Sequence, residues 1–311
     1  MKFKKAVFVN IADTHFDKEY WDQLDKLYDQ KVLLGRDDPK LMTELKDCDV
    51  LCLGFQVPAA KDIFDAAPNL KLINILATAY GTVDLDEVSK RNIPVCNLAG
   101  YSTEAVAEFT IAILLYIVRQ LDEGVERGKS GNYDFEGMSA RELKNSNFGV
   151  IGLGSIGGRV AELAAGFGAN VSYWSRNKKE SQFTYKELEA LLAESDYISV
   201  NVAQAPETEN LLNEKTIPLI KAGAVVISTV PPEVTNTDAL ATRLAKGDIT
   251  FVSDHGDEMS KENLDKIKQY SSCMLLPAIG FITAEARINK QEIFVSNMAS
   301  FLEGKPQNKV N

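Results

Sequence analysis

The chain has 311 residues, 45% of them hydrophobic, and a formal net charge of −10. That length exceeds a usual single domain and supplies enough apolar residues for two cores, while the acidic balance excludes the basic face that a nucleic-acid partner would need. The longest apolar run, residues 111–118, falls far short of the ~20 residues that cross a bilayer, so no membrane partner is expected.

The opening Met1-Lys2-Phe3-Lys4-Lys5 and the apolar residues after it superficially resemble a signal peptide. The run is short, ends at Asp13 and lacks a small-residue cleavage pattern, so it reads as a first strand. Further β-rich runs at 31–34, 50–53, 72–76 and 94–96 alternate with amphipathic segments such as 19–28, which predicts a parallel sheet covered by helices. Residues 102–120 begin with the capping hydroxyls Ser102 and Thr103, carry Glu104 in the first turn and continue apolar, as a long linking helix would. Residues 121–147 are rich in glycine, charge and polar groups, with isolated aromatics at Tyr133 and Phe135. They read either as an arm to a partner subunit or as a surface excursion. A second series of strands follows at 148–151, 171–174, 197–201, 224–228, 249–253 and 274–276. The fold class is therefore α/β, with two doubly wound parallel-sheet domains. Cys48, Cys52, Cys96 and Cys273 lack the paired spacing of a zinc site; they read as structural thiols of a reducing cytoplasm, and no metal is expected.

The strongest chemical signal is Gly152-Leu153-Gly154-Ser155-Ile156-Gly157, which follows a strand and opens a helix. Gly152 suits the tight turn, Gly154 lets the backbone approach a pyrophosphate, and Gly157 lets helix and strand pack closely, with Ser155 and Ile156 at the helix amino terminus that faces the phosphates. The next strand ends in Ser175-Arg176-Asn177-Lys178-Lys179, where an NAD-specific site carries an acid for the ribose 2′-hydroxyl. No acid is present. Ser175, Arg176 and the two lysines Lys178 and Lys179 suit a 2′-phosphate, so NADP(H) is favoured over NAD(H); a solvated basic turn is the other reading of the same residues.

Two stretches, Ala77 to Asp86 and Asn92 to Glu108, closely resemble the D-isomer-specific 2-hydroxyacid dehydrogenases, in the manner of glycerate dehydrogenase and hydroxypyruvate reductase. The resemblance continues through the glycine motif, Ala205 to Asn213 and Lys221 to Ile227, and so covers most of the chain. It implies a flavodoxin-like substrate domain of residues 1–101 and 284–311, a Rossmann cofactor domain of residues 102–283, an active site between them and a homodimer. It also implies cofactor contacts at Val202, Ala203, Thr208, Thr229, Val230 and Asp254, with Asp254 near the nicotinamide amide, and a substrate-carboxylate loop at residues 78–81.

The resemblance fails at the chemistry. The family uses an Arg to clamp the substrate carboxylate, a His as proton donor and a Glu that tunes the His. Here Pro231 stands where the resemblance places the Arg, Ala278 where it places the His, and Met259 where an ungapped reading places the Glu. Glu258 could take the Glu position only if the loop shifts. His255, Tyr101 and Tyr80 are the candidate replacement donors, each with a plain structural alternative: a core histidine, or an aromatic wall. Two functions fit: an NADPH-dependent reductase of a small carbonyl or imine with non-standard catalytic residues, or a catalytically inactive cofactor-sensing or dimeric partner protein.

Overall fold

In the computed structural model, which describes residues 2–311, the chain parts into two units, one of residues up to Ser102 together with Thr283–Asn311, the other Thr103–Ile282.

The first unit alternates β1 (Phe3–Val9), α1 (Lys18–Leu24), β2 (Tyr28–Leu34), the single turn α2 (Leu41–Glu44), β3 (Val50–Leu53), α3 (Lys61–Ala66), β4 (Leu72–Ile75), α4 (Leu85–Lys90) and β5 (Val95–Cys96). The strands pair in parallel in the order β2-β1-β3-β4-β5, the flavodoxin-like arrangement. β3 and β4 are buried along their whole length, which is why they read as near-continuous apolar runs, broken only by Asn74, rather than alternating ones. One sheet face packs Leu45, Leu51, Phe64 and Ile73; the other packs Phe8, Phe16, Trp21 and Phe294.

The amphipathic segment predicted over 19–28 is shorter as a helix, because Leu24 ends α1 and Tyr28 already begins β2. Its ring packs edge-on against Phe8 with centroids 5.9 Å apart, and that contact extends the strand three residues ahead of the predicted start at Lys31. All four cysteines are free, and Cys48, Cys52 and Cys96 are buried. Burial pushes the Cys48 thiol up to about 12 and Cys96 up to about 11, so neither is a ready nucleophile.

The second unit begins with α5 (Thr103–Val118) and α6 (Leu121–Lys129) and continues β6 (Asn147–Ile151), α7 (Ser155–Gly166), β7 (Asn170–Trp174), β8 (Thr184–Tyr185), α8 (Leu188–Glu194), β9 (Tyr197–Val200), β10 (Val225–Ser228), α9 (Thr237–Leu244), β11 (Thr250–Ser253), α10 (Lys261–Ile267) and β12 (Cys273–Leu275). Its seven parallel strands run β12-β11-β10-β9-β6-β7-β8. The order reverses beside β6, so the carboxyl end of β6 lies at the topological switch point where open α/β sheets bind ligands. The short β8, absent from the sequence reading, is added where Tyr185 packs edge-on against buried Tyr173.

α6 lies in the segment for which the sequence offered no element. Acids in its first turn, bases in its last and a Glu123–Arg127 pair one turn apart support it. No residue of α6 is buried.

The chain ends in α11 (Ala284–Leu302), which belongs to the first unit and buries Phe294, Val295 and Met298. Its polar face is buried too. Asn297 Nδ2 donates to Asn74 Oδ1 at 3.0 Å and to the Asn97 carbonyl at 2.9 Å, while Asn308 donates to Asn297 Oδ1. These bonds fix the terminal helix to β4 and to the loop after β5.

Candidate active site

Beyond the carboxyl ends of the second unit's strands lies a row of turns. Gly152 follows β6, Ser175 follows β7, Asn201 follows β9, Thr229 follows β10 and Asp254 follows β11. Backbone bonds tie neighbours together: the Gly152 N–H donates to the Trp174 carbonyl, Asn201 N–H to Ile151, Thr229 N–H to Val200 and Asp254 N–H to Ser228.

The glycine turn requires its glycines. Gly152 has φ +95°, and a Cβ there would lie 2.9 Å from the Asn201 backbone. A Cβ on Gly157 would lie 2.0 Å from the Gly152 carbonyl oxygen. A Cβ on Gly154 would meet nothing within 4 Å, so space there is left for something other than this unit. Gly154 also precedes α7 without a side-chain cap, leaving the helix's first N–H groups for a ligand. This cradle fits the pyrophosphate of a dinucleotide.

At the end of β7, Ser175 is buried and its Oγ has no hydrogen-bond partner among the described residues. Arg176 is exposed and stands 3.6 Å from Glu207; Lys178 Nζ lies 5.9 Å from the Tyr185 ring centroid. Lys179, the second of the two lysines that the sequence offered, places Nζ 2.7 Å from the Leu153 carbonyl within the glycine turn. Across β9, Thr208 Oγ1 donates to the Ala203 carbonyl and accepts from the Ala205 N–H, which closes the loop carrying Val202 and Ala203. The Val230 side chain is buried in the core with Val234 and Leu240; only its backbone is left to meet a ligand.

The opposite end of the row is built from acids. Asp254 is buried, with Oδ1 accepting from the Ile279 N–H at 3.1 Å and Oδ2 from the Gly280 N–H at 3.0 Å. Burial pushes this carboxyl up from its ordinary value, against the pull of the two N–H donors. Asp257 accepts from the Ala278 N–H at 3.0 Å. The two acids thus hold the turn at 277–280, a role no sequence motif announced. His255 Nδ1 is buried and 3.3 Å from Glu258 Oε1, without the geometry of a hydrogen bond. Met259 packs against the apolar core. Pro231 follows Val230 and opens the turn Pro232–Val234.

Tyr80 and Tyr101 belong to the other unit. Tyr80 is exposed on the 78–81 loop, which is fixed by Asn97 Nδ2 donating to the Thr78 carbonyl at 2.7 Å. Tyr101 packs against the core around Phe8, and burial pushes its phenol up while a hydrogen bond with Ser102 opposes the shift.

The family model for the NAD binding domain of D-isomer specific 2-hydroxyacid dehydrogenases matches residues 111–280, the segment that carries this row. The chain belongs to this family. It is accordingly an NAD(P)-dependent oxidoreductase. A glyoxylate reductase of Thermococcus litoralis is 31% identical to it over 296 residues, covering 88% of each chain. Among solved structures, a D-lactate dehydrogenase of Aquifex aeolicus, complexed with NAD and lactic acid, superposes with a TM-score of 0.82 at 27% identity and 96% coverage of each chain. An acyclic imino acid reductase in complex with NADPH and D-arginine shares the fold, with a TM-score of 0.87 at 24% identity over 99% of this chain and all of that one. No helix of the described residues is long and apolar enough to cross a membrane.

Proposed function

We propose that this family member is an NADPH-dependent reductase of a small carbonyl or imine that carries no carboxylate for a guanidinium to clamp. The observation that carries the reading is Pro231 and Ala278 at the positions where the resemblance places Arg and His, beside an intact glycine cradle. A charge-assisted carboxylate contact contributes about 1.5–3 kcal/mol and a general acid roughly 10²–10⁴-fold. A chain without either is not a good reductase of 2-oxoacids such as glyoxylate. The fold itself is compatible with imine reduction, since an imino acid reductase shares it.

In this reading Gly152, Gly154, Ser155, Ile156 and Gly157 hold the pyrophosphate. Ser175, Arg176 and one of the two lysines, Lys178 or Lys179, face the adenosine ribose, and Val202, Ala203, Thr208, Thr229, Val230 and Asp254 flank the rest of the cofactor. A bound nicotinamide would supply the hydride. The chain must supply a proton to the substrate oxygen or nitrogen, and Tyr101, His255 and Tyr80 are the candidate donors. Exposed Leu121, Val125, Tyr133 and Phe135 on residues 121–147 form the surface of a homodimer arm, and the protein works in the cytoplasm. The runner-up, a catalytically inactive cofactor sensor or dimeric partner, draws on one observation: Ala278, Ile279 and Gly280 offer no side-chain donor, and their N–H groups are already bonded to Asp254 and Asp257.

Fluorescence titration with NADPH and NADH, followed by turnover on glyoxylate, ketones and imines, tests the proposal. Tighter binding of NADPH with turnover of a ketone or imine, but not glyoxylate, is the expected result. The double substitution Pro231→Arg with Ala278→His should raise glyoxylate reduction by about 10²-fold or more. Tight binding with no turnover on the whole panel would move the assignment to the sensor, and brisk glyoxylate reduction by the unmodified chain would overturn it.

A further inference from the structure

Three cations follow β7, and the structure directs them differently. Arg176 leans toward Glu207, with both side chains well exposed. Lys178 reaches along the sheet edge to the Tyr185 ring. Only Lys179 turns back to the glycine cradle, where its ammonium donates to the Leu153 carbonyl at 2.7 Å.

Its backbone is pinned as well. The Lys179 N–H donates to Tyr173 Oη at 2.9 Å, and the Tyr173 hydroxyl donates to the Lys179 carbonyl at 2.6 Å. Tyr173 is fully buried on β7, so the clasp is anchored in the core. An ammonium has three N–H donors, and the carbonyl takes one. Among the described residues no ion pair with an acid engages the other two, in contrast to Arg176. A cation without a counter-ion is thus held beside the open space at Gly154 and the start of α7, which already favour an anion. Independently, Ser175 Oγ is buried without a partner at the end of the same strand.

We infer that Lys179, rather than Lys178, is the lysine that recognises the phosphate on the adenosine ribose and so sets the preference for NADPH over NADH. The Tyr173 clasp and the Leu153 carbonyl hold its charge in place before the cofactor arrives, which lessens the side-chain ordering required on binding. The inference rests on the NADPH reading proposed above.

The test is fluorescence titration of the full chain with NADPH and NADH, for the unmodified protein and for Lys179→Met, Lys178→Met and Lys179→Arg. Losing one charge-assisted contact predicts NADPH binding about 10- to 100-fold weaker in Lys179→Met. NADH binding should change less than about 3-fold, and Lys178→Met should move neither cofactor beyond that range. Lys179→Arg, which keeps the charge, should retain most of the preference and confirms that the site is folded. Equal losses for both cofactors in Lys179→Met, or a preference that follows Lys178 instead, would overturn the inference while leaving the NADPH reading intact. An unmodified chain that binds both cofactors equally would overturn the NADPH reading, and this inference with it.

Discussion

The two ends of the row of turns in the second unit treat their polar groups in opposite ways. Around β6 and β7, groups are held ready but not consumed: Ser175 Oγ is unpartnered, Lys179 touches one carbonyl, and the space at Gly154 is open. Around β11 and β12, the acids are spent on backbone, with Asp254 on the N–H groups of Ile279 and Gly280 and Asp257 on that of Ala278, although His255 Nδ1 stays buried without a hydrogen bond among the described residues. An end with unsatisfied donors is organised to receive a ligand; an end whose acids bind backbone is organised to hold its own loop.

The comparison breaks most severely at Gly157. An alanine there puts a Cβ 2.0 Å from the Gly152 carbonyl oxygen, and neither backbone can yield without moving the turn or α7. Gly157→Ala should weaken NADPH binding by about 100-fold or more and lower stability by about 3 kcal/mol. Fluorescence titration and chemical unfolding measure the two effects. An alanine variant that binds as tightly as the unmodified chain would show that the cradle is not the binding element.

The opposite end is probed by Asp254→Ala, which leaves the Ile279 and Gly280 N–H groups without their acceptor. The expected cost is about 2–4 kcal/mol, since orphaned buried donors lose what a charged acceptor supplied. Urea unfolding measures it, and hydrogen exchange should localise the loss to residues 277–280. NADPH affinity in the same variant should fall much less than in Gly157→Ala, because the glycine cradle is untouched. A fall as large would show that the two ends act as one device.

What the sequence could reveal differs between these ends for a physical reason. The glycine turn is legible because tight turns and close backbone approach admit almost no residue but glycine, and strand periodicity places Gly152 at the end of β6. Both sheets were legible because fully buried parallel strands are apolar along most of their length: β3 is wholly apolar, and β4 and β9 each carry a single polar residue, Asn74 and Ser199. The choice between Lys178 and Lys179 was not legible: the two are adjacent and chemically identical, and the Tyr173 clasp decides which one turns toward Leu153. Asp257 was hidden in the same way, since an acid in a polar loop reads as a surface charge until its Ala278 partner, 21 residues on, is brought beside it. α6 escaped because its support comes from pairs such as Glu123–Arg127 and not from an apolar stripe.

The smallest effect, and the sharpest test of how the acidic end is built, is the pH dependence of Asp254→Asn. Burial raises the folded-state pKa of Asp254 above its ordinary value. The folded chain therefore holds this proton more firmly than the unfolded chain does. The group's contribution to stability is fully present below the unfolded pKa and is lost as pH rises through the folded pKa. Asparagine cannot ionise and has no such slope. The stability of Asp254→Asn relative to the unmodified chain should consequently improve as pH rises through the acidic range, and level off once Asp254 is ionised in both states. Urea midpoints at a series of pH values measure the trend. A difference that instead grows in favour of Asp254 with rising pH would mean that the Ile279 and Gly280 donors outweigh burial, so that the loop is held by the ionised carboxylate and its folded pKa is depressed.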